Sequence, residues 1–77
     1  MTFQLLETVV LVRDLPERDL RSGDLGAVVH VYEPDGFEVE FVTAAGKTQA
    51  LVTLRSTDIR HVEATDVVAV RRLNKSA

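Results

Sequence analysis

Apolar residues in this chain recur mostly at alternate positions. The clearest case is residues 37–42, "FEVEFV", where Phe37, Val39 and Phe41 alternate with Glu38 and Glu40. A two-residue period turns successive side chains to opposite faces of a strand, one set toward a core and the other toward water. Thr8–Val12, "TVVLV", is a β-branched run, short enough for a strand and too short for a stable helix. Gly26–Tyr32, "GAVVHVY", has the same composition, and simple alternation puts His30 on one face with Val28 and Tyr32. Thr48–Leu54, "TQALVTL", aligns Ala50, Val52 and Leu54 on a single face. Ser56, Thr57 and Asp58 readily bond their own backbone, so a single helical turn is predicted at Ser56–Ile59, leading into a short last strand.

The connections sharpen this picture. Residues 13–24, "RDLPERDLRSGD", are polar, charged and punctuated by Pro16 and Gly23, and read as a long loop. "EPDG" at 33–36 and "TAAGK" at 43–47 have the composition of tight turns. Small sheets avoid exposed edges by curling, so the pattern predicts an all-β, small SH3-like barrel of about five antiparallel strands. An OB-like barrel fits less well, since it calls for longer strands and an intervening helix. Residues 1–62 form the expected barrel and residues 63–77 a C-terminal extension. Within that extension, Thr65 or Asp66 would cap a helix starting at Val67. Val67, Val68 and Val70 are stiff, β-branched residues that favour an extended chain, so the adopted reading is an extra strand over Asp66–Leu73 that frays after Asn74.

A chain of 77 residues allows one domain. It contains no cysteine, which removes disulfides, thiolate metal sites and a cysteine nucleophile together. The early apolar run Val9–Val12 is bounded by Glu7 and Arg13, too short for a secretory leader or a membrane span. The expected setting is therefore the cytoplasm. The net charge of −3 is unevenly distributed: through Val62 there are six Lys/Arg and ten Asp/Glu, whereas the tail carries Arg71, Arg72 and Lys75 against Glu63 and Asp66. Polyanion binders normally present a basic surface, so nucleic acid is disfavoured as the main partner.

Three blocks, "ETVVL-RDLPE", "GDLGAVVHVYE" and "EVEFV" followed by "TQALVTL", resemble a family of small bacterial proteins defined only as domain of unknown function 4926. The resemblance spans roughly Leu5 to Arg60. It implies an SH3-like small barrel made as a stand-alone short protein, with a partner encoded nearby. It implies no activity and no catalytic residue, and it does not extend to the basic tail.

Candidate chemistry is sparse. Gly23 and Gly26 lack the Lys and Ser/Thr that a phosphate loop places after its glycines, and Asp24 brings negative charge between them. They read instead as a left-handed turn residue and a site of close backbone approach. Asp14, Glu17, Asp19 and Asp24 have no EF-hand spacing and read as a solvated acidic loop. His30 and His61 are too few for a zinc site, and Ser22, Ser56 and Ser76 have no base beside them in sequence. No cofactor or metal is expected, and no catalytic residue is assigned. The leading expectation is a non-enzymatic module that binds another protein through Asp14, Glu17 and Asp19 of the acidic loop, Tyr32 as an aromatic anchor, and the C-terminal segment with Arg71 and Arg72. That segment is also a candidate for pairing two copies of the chain. The alternative is a nucleic-acid-associated accessory or antitoxin-like protein of a small gene pair, using Arg71, Arg72 and Lys75 on phosphates.

Overall fold

The computed structural model describes residues 3–73, in which five antiparallel strands form one sheet. They are β1 (Thr8–Leu11), β2 (Leu25–Tyr32), β3 (Gly36–Val42), β4 (Thr48–Leu54) and β5 (Ile59–His61), in the spatial order β4-β3-β2-β1-β5. The chain is all-β, as its two-residue period implies. Strands β4 and β5 are the sheet's two edges, and no hydrogen-bonded ladder joins them into a closed barrel. The inner face collects Val9, Leu11, Val28, Phe37, Val39, Phe41, Leu54 and Ile59 into the buried core. Among the described residues no helix is long and apolar enough to cross a membrane.

The expected elements lie close to their predicted positions. A 3₁₀ turn at Ser56–Asp58 leads into β5, held by the Asp58 carboxylate, which accepts the Arg55 backbone N–H at 2.9 Å. Gly23 has φ +100°, a conformation that side chains rarely adopt. Gly26 lies within β2 opposite Val9, and a Cβ there would stand 2.6 Å from Val39 Cγ1 and 2.9 Å from Phe41 Cε2. Both glycines shape the fold where the chain passes from the long loop into β2.

Three features depart from the sequence reading. The first is a β-bulge. Val28 pairs with Val39, but the next pairing is His30 with Glu38, so Val29 is an extra residue. Because strand side chains alternate faces, one inserted residue reverses every later side chain. His30 and Tyr32 therefore share the outer face with Glu38, opposite the buried Val28.

The second concerns the long loop. Leu15 and Leu20 are each 3% exposed and exchange backbone hydrogen bonds of 2.9 and 3.1 Å around a 3₁₀ turn, Pro16–Arg18. Two leucines thus pin the loop to the core, while its charged residues point outward.

The third is the C-terminal extension. A turn closed by the Asp66 N–H on the Glu63 carbonyl follows β5, and residues 67–73 then form neither the expected strand nor a helix. β-Branching favours an extended chain but supplies no partner for a ladder. Strand β5 pairs only with β1, and no backbone group of residues 67–70 finds a hydrogen-bond partner among the described residues. The expected fraying after Asn74 lies outside the described residues.

Candidate functional site

The C-terminal segment returns to the long loop. Arg71 reaches Asp24 with two nitrogens, Nε to Oδ1 at 2.9 Å and Nη2 to Oδ2 at 2.6 Å. Its Nη2 also donates to the Asp19 backbone carbonyl at 2.8 Å, and its Nη1 lies 3.8 Å from the Asp19 carboxylate. A fork of this kind is the strongest geometry available to a guanidinium and a carboxylate. Partial burial pushes the Asp24 carboxyl up, but the Arg71 guanidinium and the Arg21 backbone N–H outweigh it and hold the group below the usual aspartate range.

A second fork fixes the near end. Arg60 in β5 donates from Nη1 and Nη2 to the two oxygens of Asp66, both at 2.9 Å. With the Glu63 N–H adding a bond of 2.7 Å, this lowers the Asp66 carboxyl to about 2. Residues 67–70 are therefore strung between two ion-pair anchors as a strap.

The strap keeps its apolar side chains in water. Val67, Val68 and Val70 are 90%, 71% and 97% exposed. Beneath it runs a groove of about 960 Å³, bordered on the body side by Val10, Leu25, Phe41 and Val42. Leu25 and Val42 are themselves partly exposed, so the strap and the groove form one largely apolar region with charged ends.

The predicted site residues divide into groups. Asp19, Arg71 and Arg72 lie together at the far end of the strap, where the Arg72 side chain is exposed and makes no hydrogen bond or ion pair among the described residues. Asp14 has a local task, accepting the Ser22 backbone N–H at 2.8 Å. Glu17 is exposed on the 3₁₀ turn. Tyr32 is elsewhere, on the outer face of β2, tilted against the His30 ring at 4.5 Å. Its hydroxyl donates to Glu38 at 3.1 Å, a bond that raises the phenol above its usual range.

Arg60, Asp66 and the exposed valines were not singled out by sequence reasoning as a unit. The available signal was an apolar run bounded by Asp66 and Arg71, residues able to anchor its ends. A second pair, Glu7 and His61, was also missed: the Glu7 carboxylate meets His61 Nδ1 beside the ring of Phe3. The Gln4 backbone N–H, against slight burial and together with His61, lowers the Glu7 carboxyl. Among the described residues no three His, Asp or Glu side chains gather as a metal site.

The β1–β5 body that carries the strap defines a class of small all-β domain, and residues 5–61 match the family described as domain of unknown function (DUF4926). The chain belongs to that family. The match ends at the last residue of β5, so the strap lies outside it. No curated protein and no solved structure matches the chain.

Proposed function

We propose that this chain is a non-enzymatic, SH3-like cytoplasmic module that works by binding another protein through the strap and its groove. One observation carries the reading: three valines, 71–97% exposed, on a segment tethered at both ends. Burying a valine side chain is worth about 1.5 kcal/mol or more, so the strap leaves that free energy unclaimed. Its two anchors also settle part of the ordering cost that a partner would otherwise bear.

The nucleic-acid alternative has weaker support. The Arg71 guanidinium is already engaged by Asp24 and Asp19, which leaves Arg72 as the exposed tail cation among the described residues. Binding through phosphates would weaken steeply between about 50 and 200 mM salt.

The test is affinity capture from the native host with the tagged full chain, beside Val68→Asp and Val70→Asp variants that place a charge on the strap. A protein retained by the wild type and lost with both variants supports the reading. Equal recovery by all three chains, or recovery of nothing specific by a wild type that also stays monomeric in solution, overturns it.

A further inference from the structure

We infer that the strap pairs with the strap of a second copy of this chain, as two antiparallel strands related by a two-fold axis centred on Ala69. This rests on the protein-binding reading above and names its partner.

The first support is the direction of the side chains. Arg71 turns toward the body, where its side chain is 26% exposed, and Leu73 is half-buried. The residues between and before them, Arg72 and Val70, are exposed, Val70 at 97%. From position 70 onward the tail therefore has the alternation of a strand lying on one face. The second support is the backbone. Residues 67–70 have unpaired N–H and C=O groups among the described residues, which is the condition of a sheet edge.

The third support is self-complementarity. In a two-fold pair of antiparallel strands a residue and its symmetry mate face the same side, so the positions lying opposite one another must sum to an even number. Centred on Ala69, Asp66 lies opposite Arg72 of the second copy and Val68 lies opposite Val70 of the second copy. Each outward pair is then charge with opposite charge or valine with valine, the combinations that stabilise cross-strand contacts. Centring one residue earlier sets Asp66 against Val70, and one residue later sets Val68 against Arg72. Of the three, only the Ala69 centre sets Asp66 against an arginine and Val68 against a valine; on the other face it sets Val67 against Arg71. The Asp66 carboxylate already accepts two bonds from Arg60 and one from the Glu63 N–H, but its side chain is 25% exposed and a carboxylate accepts about four, so one position remains for Arg72 of the second copy.

Two short strands make a small interface, well below the roughly 1,200 Å² of stable complexes, so the dimer is expected to be weak and concentration-dependent. The absence of cysteine provides a direct test. Opposed residues in an antiparallel pair have Cα atoms about 4.5–5.5 Å apart, within the span of a disulfide. Ala69→Cys in the full chain should therefore cross-link to itself under mild oxidation. Thr65→Cys should not, because its two thiols would sit eight residues apart along the strands, roughly 26 Å.

Sedimentation of the wild type should show a monomer–dimer equilibrium. Arg72→Glu, which sets two like-charged pairs across the axis, should raise the dissociation constant by about tenfold. Equal cross-linking of the two cysteine variants, a wild type that stays monomeric at roughly millimolar concentration, or an Arg72→Glu variant that dimerises normally would each overturn the pairing. A monomer that instead forms a complex with a different protein, lost in Val68→Asp and Val70→Asp, overturns the second copy while sustaining the protein-binding reading. An empty capture together with a wild type that stays monomeric at roughly millimolar concentration would strike both readings.

Discussion

The two ends of the described chain dock on the same sheet by opposite means. At the N-terminal end, Phe3 is 7% exposed, meets Phe37 edge-to-face at 5.5 Å and lies against the His61 ring at 4.4 Å. At the C-terminal end the apolar residues face water, and forks to Asp66 and Asp24 do the holding. Neighbouring residues of β5 serve the two ends: His61 the first and Arg60 the second. Apolar burial is not weakened by ionic screening, whereas partly exposed ion pairs contribute about 0–1 kcal/mol and are screened. The first segment is therefore part of the fold, and the second is a surface fitting that lifts at small cost.

The largest effect should come from breaking the buried end. Phe3→Ala is expected to cost about 3 kcal/mol, since it empties a core position and removes an aromatic pair, read as a fall in urea midpoint. If Phe3 were a mere surface cap, the midpoint would hardly move. Next, Gly26→Val should cost about 2 kcal/mol, because its side chain must displace Val39 and Phe41. It weakens the body under both ends, so hydrogen exchange at the Glu7 and Asp66 amides should rise together. Separate responses would show that the ends are not carried by one cooperative unit.

A smaller change should follow Arg71→Ala. Discounted for solvent screening, its fork is worth about 1 kcal/mol, and the loss should appear as faster exchange near the strap with Phe3 unaffected. Smallest is the response to acid. The Asp66 carboxyl is depressed to about 2, so its contribution is complete above its unfolded value near 4 and fades as pH falls through about 2. Carboxylate chemical shifts of Asp66 followed from pH 5 to about 1.5 would check this; an ordinary aspartate midpoint would remove the Arg60 anchor.

Much of the body was legible because its signals are local. The alternation of Phe37, Val39 and Phe41 needs only neighbours to read, as do the Ser-Thr-Asp turn and the glycine corner. The bulge at Val29 was not legible, since "AVVHV" contains no glycine or other mark of an inserted residue, and it moved His30 to the opposite face. Phe3 belongs to no periodic run, so nothing near it in sequence indicated burial. Leu15 and Leu20 were hidden among charges in a loop that looked fully solvated. The site's central contact joins Asp24 to Arg71 across 47 positions, which no local pattern encodes. The valines of the tail do show strand preference, yet a ladder is a property of two segments and the sheet supplies none to them.

The β1–β5 ladder bears on the order of assembly. It pairs Val9 with His61, whereas the β2–β3 and β3–β4 turns connect adjacent segments. Closing a long loop must be settled in chain entropy before its contacts give anything back, so ladders between sequence neighbours form more readily. In pulsed hydrogen exchange during refolding, amides of β2–β4 should gain protection before those of β5. Arg60 reaches its final position only when β5 docks, and the strap is attached to that same strand. The strap is thereby anchored last, and its presence certifies that the rest of the chain has closed.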